Sequence, residues 1–328
     1  MTGEWWLPNP TTRFKSDTVT KQAIIIDCDP GVDDAVALML AFGSEAFELL
    51  AITAVGGNVP VVKTARNARI LRQIAGREDV PVFMGADRPL RREPAGAGEF
   101  HGAEGLGDMA PFEPEAPCAD GHAADAIIEL VMARPAKSVA VAVLGPLTNL
   151  ALALRKEPAL AVRLGPVAVM GGARSEGGNI TASAEFNIWA DPDAAAEVLA
   201  TGCDVILFGL DATHQVRATE ARIAALEAVG KPMADAAASM MRFSQRIERE
   251  IVGWEAPPVH DPCPVAWLLE PALFTLQPCR VSVEMDSDLT RGHTAVEFRQ
   301  AVAGTLPHRW ATAADADGIF ALIADAVR

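Results

Sequence analysis

The sequence predicts an α/β fold, a mostly parallel sheet with helices on both faces. Three observations carry that expectation. Apolar runs of strand length alternate with helical patterns over the first 210 residues, half of all 328 residues are hydrophobic, and no break in composition divides the chain. The first strand is the run AIII at 23–26, and helical spacing follows over 33–42. A second strand covers 49–55 and a helix 61–74. Strands at 80–83, 139–144, 167–170 and 205–208 then interleave with helices over 120–133, 146–155 and 191–200. Asp191 before Pro192 is a start signal for the last of these, a capping side chain ahead of a proline that needs no amide partner. Residues 85–117 are rich in glycine, proline and charge with little periodicity, and read as a long loop of the functional or mobile kind. One domain over 23–328 is expected, preceded by a loose N-terminal arm over 1–22.

Charge narrows the partners. Lys plus Arg number 28 against 43 Asp plus Glu, a formal net charge of −15. Such a surface repels phosphate backbones and anionic lipid heads, which argues against nucleic acid and membranes and leaves room for a neutral small molecule or a hard cation. No apolar run is long enough for a transmembrane helix, and 1–22 lacks the basic and apolar regions of a secretory leader despite Trp5 and Trp6. The five cysteines (28, 118, 203, 263 and 279) are widely spaced with no C-x-x-C pair. That pattern points to reduced thiols in a cytoplasmic setting, not to a disulfide framework or a zinc site. Tyrosine is absent, so acid and hydrogen-bonding roles fall to His, Asp, Glu, Asn and Ser/Thr.

Ligands in open α/β sheets bind beyond the carboxyl ends of the strands, and the unusual polar residues of this chain collect there. Asp27-Cys28-Asp29-Pro30-Gly31-Val32-Asp33-Asp34 follows the first strand and Gly56-Gly57-Asn58 the second. Later strands lead into Gly145-Pro146-Leu147-Thr148-Asn149, into Gly171-Gly172 with Asn179 and Glu185-Phe186-Asn187 beyond, and into Asp211-Ala212-Thr213-His214. Four carboxylates within eight residues raise one another's pKa unless a cation neutralises them, and Pro30-Gly31 forces a turn that lets Asp29 approach Asp33 and Asp34. An all-oxygen donor set favours Ca²⁺ or Mg²⁺ over Zn²⁺, and Ca²⁺ tolerates six to eight oxygens, backbone carbonyls included. A lone Asp-Asp pair would ordinarily be read as a helix cap; the D-x-D-P-G-x-D-D run behind a strand of isoleucines is a different object. Haloacid-dehalogenase-like phosphotransferases also place Asp-x-Asp here, but with Thr or Val where this chain has Gly31, and no lysine suited to a phosphate accompanies it.

Asn58, Asn179 and Asn187 give and accept hydrogen bonds and Glu185 accepts strongly, the mixture that ribose hydroxyls need. Further on, the carboxylate of His260-Asp261 can complete a metal site and the imidazole can act as an acid, while Asp261-Pro262 also reads as the start of a helix over 263–269. His101, in the glycine-rich segment 101–107, can close over a ligand; His122, His293 and His308 have no such context.

With these motifs in order, the chain resembles the inosine–uridine-preferring nucleoside hydrolases. D-x-D-P-G-x-D-D-A, G-P-L-T-N, M-G-G, A-E-F-N and H-D-P carry the resemblance, over 24–264. It implies a mixed, Rossmann-like central sheet, bound Ca²⁺, a nucleoside substrate and a homodimer or homotetramer. By position it makes Asp29 a metal ligand and the base, Asp34 and Asp261 metal ligands, and the main-chain carbonyl of Leu144 a fourth. Asp33, Asn58, Asn179, Glu185 and Asn187 fall on ribose-binding positions, with Met170 and Phe186 lining the site. His260 falls on the acid for the leaving base and His101 on a flap histidine. Asp27 is expected to support the ligands. Base contacts are expected in 240–254, where the family's tyrosines are missing and Gln245, Arg246, Glu248 and Arg249 stand on a helix that reads as a solvated face. Trp254 is the candidate for contact with the base, with core packing as its alternative. A non-catalytic Ca²⁺- and ribose-binding protein on this fold would lack a metal ligand or the acid, and every one of those positions is filled.

Overall fold

The computed structural model describes residues 21–328, so most of the expected N-terminal arm lies outside the described residues. The described chain opens as β1 (Gln22–Cys28), α1 (Val32–Gly43), β2 (Phe47–Ala54), α2 (Val61–Ile74) and β3 (Val82–Met84). It continues through α3 (Gly98–His101), α4 (Ala123–Met132), β4 (Val139–Val143), α5 (Thr148–Lys156), α6 (Leu160–Arg163) and β5 (Val167–Met170). Then come α7 (Phe186–Ala190), α8 (Pro192–Ala200), β6 (Val205–Phe208), α9 (Leu210–Thr213), α10 (Glu220–Glu227), α11 (Pro232–Ile251) and α12 (Pro262–Leu269). After a 3₁₀ turn, β7 (Phe274–Val283), β8 (Thr294–Glu297), α13 (Gln300–Ala303), β9 (His308–Ala314) and α14 (Ala316–Ala326) complete it.

The strands form one sheet in the order β3-β2-β1-β4-β5-β6-β9-β7-β8. Pairing is parallel from β3 to β9 and antiparallel where β7 joins β9 and β8, which makes the sheet mixed. The run of isoleucines in β1 is explained by its central place. Ile24 and Ile26 pack into the layer with α1, Ile25 into the opposite layer with α4 and α5, and all three are fully buried. α1 is apolar all round because α11, α12 and α14 cover the side that the sheet does not.

The topology places the site. From β1 the chain builds outward through β2 and β3, and from β4 outward the other way. The carboxyl ends of β1 and β4, paired at Asp27 and Val143, therefore flank the switch point of an open α/β sheet.

The boundaries differ from expectation in small, explicable ways. β3 begins after Pro81, which has no amide to donate. α4 begins at Ala123 because the Nδ1 of His122 accepts from the Ala124 amide at 3.1 Å, so a histidine without apparent context is a helix cap. Asp191 caps α8 as expected, accepting from the Ala194 amide at 3.0 Å. The expected loop 85–117 contains the single turn α3, which carries His101. All five cysteines are free, and no described helix is long and apolar enough to cross a membrane.

Candidate active site

Pro30-Gly31 ends β1 and starts α1, so the acidic residues on both sides converge. Asp34, in the first turn of α1, accepts from the Gly31 amide at 2.8 Å, the Asp29 amide at 3.2 Å and the Asn58 Nδ2 at 3.2 Å. It caps its helix and remains in the cluster, so the two readings are compatible. Oxygens of Asp33, Asp34 and Asp261 lie within 4.8 Å of one another. Asp261 occupies the N-cap position of α12 but makes no capping hydrogen bond. The turn was expected to bring Asp33 to the other acids and the resemblance to put it with the sugar ligands; the structure gathers it with Asp34 and Asp261 and also exposes it to the cavity.

Asp29 is fully buried. Its Oδ2 accepts the Asn58 amide at 2.7 Å, its backbone carbonyl accepts the Asn58 Nδ2 at 3.1 Å, and its Oδ1 has no partner among the described residues. Two glycines clamp the carboxylate: a Cβ on Gly57 would sit 2.0 Å from Oδ2 and one on Gly145 2.3 Å from Oδ1. Beneath it, Asp27 accepts from the Thr53 hydroxyl at 2.6 Å and from Asn149 Nδ2 at 2.8 Å. Burial drives these pKa values up. Asp29 and Asp261 are raised well above the usual carboxylate range, with Asp34 adding to the first and Asp33 to the second, and Asp34 is pushed to about 7 by burial and Asp33. Such a group of acids is stable as anions only beside a positive charge. With an unpartnered buried oxygen and no soft donor, it fits a hard divalent cation.

Above the cluster opens a cavity of about 270 Å³. Asp33, Asn58, His101, Leu144, Met170, Asn179, Glu185, Phe186, Asn187, Trp254, His260 and Asp261 line it, so the structure brings the sequence-predicted residues together, with Asp29 and Asp34 directly below. Asn187 donates Nδ2 to the carbonyls of Leu144 at 2.7 Å and Met170 at 3.2 Å. Asn179 Oδ1 accepts the Phe186 amide at 2.9 Å. Each asparagine thus commits one end of its amide to the fold and keeps the other, Oδ1 of Asn58 and Asn187 and Nδ2 of Asn179. Glu185 caps α7: Oε1 accepts the Asn187 amide at 2.9 Å and Oε2 the Gly172 amide at 3.0 Å. Burial still raises its pKa to about 7. His101 Nδ1 accepts the Val32 amide at 3.1 Å and stands 4.0 Å from Asp33, which ties the loop to the start of α1.

His260 Nδ1 lies 2.7 Å from the Thr213 hydroxyl, leaving Nε2 as the uncommitted nitrogen. Burial lowers its pKa to about 4, against the opposing pull of Asp33. Around it stand His214, which the sequence placed at a strand end without a role, the expected Trp254, and Arg217, which the sequence did not single out. His214 bonds Glu176 at 3.0 Å through Nδ1, meets Trp254 edge-on at 5.1 Å and lies 5.8 Å from His260. The guanidinium of Arg217 lies 4.1 Å over the ring of Trp254, which therefore belongs to the cavity wall. The expected solvated face of 240–254 needs correction: Gln245 is buried and Glu248 lines the cavity. The available signal was the spacing of Ser244, Glu248 and Val252, each four residues apart and so on one helical face.

Residues 24–321 match the family model described as inosine-uridine preferring nucleoside hydrolase. The inosine-uridine preferring nucleoside hydrolase of Crithidia fasciculata is 41% identical over 84% of this chain and 88% of its own. The pyrimidine-specific ribonucleoside hydrolase RihA of Shewanella woodyi is also 41% identical, over 84% of this chain and 88% of its own. Among solved structures, the plant nucleoside hydrolase PpNRh1 superposes with a TM-score of 0.89 at 32% identity, covering 94% of this chain and 99% of that one. Family model, relatives and fold agree with the acid cluster and the cavity above it: the chain belongs to the inosine-uridine preferring nucleoside hydrolases, enzymes that hydrolyse N-glycosyl bonds.

Proposed function

We propose that the protein hydrolyses the N-glycosidic bond of ribonucleosides in a Ca²⁺-dependent reaction, releasing ribose and a free base. The observation that carries this reading is the unpartnered, buried Oδ1 of Asp29 among convergent acids, beneath a cavity lined by half-committed asparagines. Asp29, Asp34, Asp261 and the carbonyl of Leu144 would hold the cation. When bound, it supplies the charge that keeps these acids ionised and lowers the pKa of a coordinated water.

The chain's own groups do the rest. Asp29 Oδ1, the oxygen without a donor, takes the proton of the hydrolytic water. Asn58 Oδ1, Asn187 Oδ1 and the carboxylates of Asp33 and Glu185 accept from ribose hydroxyls, and Asn179 Nδ2 donates to one. Bonds that tighten as the ring flattens towards an oxocarbenium ion lower the barrier with binding energy from atoms that do not react. At rest His260 is neutral; negative charge building on the departing base favours its imidazolium, so the ring takes up a proton from solvent and passes it to the base, returning to the neutral form. General acid help of this kind is worth about 10²–10⁴-fold. A cytoplasmic salvage role and a homodimeric or homotetrameric assembly belong to the same reading.

Ribose release by a reducing-sugar assay across a nucleoside panel, with and without EDTA, tests it. Turnover that EDTA abolishes and Ca²⁺ restores is the expected result. Nucleoside binding without ribose release would favour the non-catalytic binder, and turnover indifferent to EDTA would remove the cation.

A further inference from the structure

Ser244, Glu248 and Val252 present one face of α11 to the cavity, and Trp254 follows just past the helix end. The arginines of this helix are all engaged elsewhere: Arg242 with Glu220 and Glu227, Arg246 with Asp108, Arg249 with Glu255. Glu248 is different. Half-buried in the cavity wall, its carboxyl has no hydrogen-bond or ion-pair partner among the described residues. Its backbone carbonyl accepts the amides of Val252, Gly253 and Trp254, which anchors it at the turn where the helix ends. Of the cavity's other side chains around it, His214 has its Nδ1 on Glu176, and Trp254 offers a ring face and an indole N–H that can only donate. Ser244, one helical turn earlier, is donor and acceptor at once and so tolerates either kind of ligand atom. Among Ser244, Glu248 and Val252, Glu248 is the one whose side chain is an acceptor without being a donor when ionised. Burial and Asp33 raise its pKa to about 7 while Arg217 opposes them, so on the alkaline side of 7 it is a carboxylate, an acceptor only.

We propose that Glu248 selects the leaving base, favouring nucleosides whose base carries an exocyclic amino group over the corresponding oxo compounds. An amino group gives the carboxylate a charge-assisted hydrogen bond. A carbonyl oxygen in the same place sets acceptor against acceptor in a partly desolvated wall, leaving both unpaired. The inference rests on the reading of the site given above and adds the substrate class to it.

The test compares kcat/KM for cytidine with uridine, adenosine with inosine and guanosine with xanthosine, in wild type and Glu248→Gln, on the alkaline side of 7. Glutamine keeps the shape but both donates and accepts. Wild type is expected to prefer the amino member of at least one pair by roughly 10-fold or more, and Glu248→Gln to bring that ratio near unity. Because each ratio is taken within one protein, a general loss of activity cancels. Ratios that are the same in both proteins, or a wild-type preference for the oxo members, would overturn the assignment. Calorimetric binding of the same pairs separates this from failure of the parent reading. If no nucleoside is turned over, hydrolysis is refuted, while a binding preference for the amino members that Glu248→Gln abolishes upholds Glu248, and its absence rejects it.

Discussion

Asp29 has no room to move, and that makes its neighbours a sharp test of the mechanism. A Cβ on Gly145 would stand 2.3 Å from Asp29 Oδ1, 2.8 Å from its Cγ and 3.1 Å from a methyl of Val55, where ordinary contact starts at 3.4 Å. On the other side Gly57 already confines Oδ2. In Gly145→Ala the carboxylate must therefore retreat by roughly 1 Å, and a displacement of that size at a reacting group costs on the order of 10²-fold in rate. Gly145 is not among the glycines with positive φ, so alanine meets no backbone strain there and the effect is purely one of space. We expect kcat/KM for ribose release to fall about 100-fold and the Ca²⁺ needed for half-maximal activity to rise. Circular dichroism should show a folded protein melting within several degrees of wild type. Gly98→Ala, where an added Cβ meets nothing within 4 Å, is the control. Gly145→Ala with activity within about 3-fold of wild type would refute the placement of Asp29 at the reacting atoms.

On the proposed mechanism Asp29→Ala removes the base and a metal ligand together, and no turnover should remain at any Ca²⁺ concentration; measurable catalysis with bound metal would count against both roles. His260→Ala should lose about 10²–10⁴-fold with inosine and much less with a nitrophenyl riboside, whose leaving group needs no proton, so equal losses would remove the acid assignment. Glu185 supplies a pH prediction. Its folded pKa of about 7 exceeds the ordinary 4.5, so the native state binds more protons between those values and loses stability as pH rises through that window, by at most roughly 3 kcal/mol. Urea denaturation of Glu185→Gln should lack that component, and wild-type and variant curves of equal pH slope would exclude it. EDTA should lower the melting temperature as well as activity, since it leaves the buried acids without their counter-charge, and an unchanged calorimetric transition would show that no ion was held.

The part of this architecture that was legible in the sequence is the part written in local pattern. Isoleucines at 24–26 announce a strand buried on both faces, and Asp191-Pro192 announces a helix start; both are present because their causes lie within a few residues. The first acidic cluster was legible for the same reason, as the Pro30-Gly31 turn brings its members together over a short stretch of chain. What the sequence hid depends on distant contacts. His122 looked idle because a cap is recognised only once the helix start is placed. Glu248 looked like one more charge on a solvated helix, because the side facing the cavity is set by how α11 packs on α1 and α3. The need for glycine at 57 and 145 is equally invisible, since the atom they make room for belongs to Asp29, far away in the chain.

The site's position also explains how the fold tolerates it. Buried acids without counter-charge oppose folding, and here Asp27, Asp29, Asp34 and Asp261 are all buried. Placing them at the switch point gives three of them donors from neighbouring segments: Asn149 and Thr53 for Asp27, the Asn58 amide for Asp29, the Gly31 amide for Asp34. These bonds satisfy some oxygens and leave others, notably Asp29 Oδ1, without a partner among the described residues. A buried cluster with no donors at all would stay protonated. Specificity can then vary independently, because α11 and Trp254 touch the cavity from the side away from the sheet and contribute no group to the metal cluster.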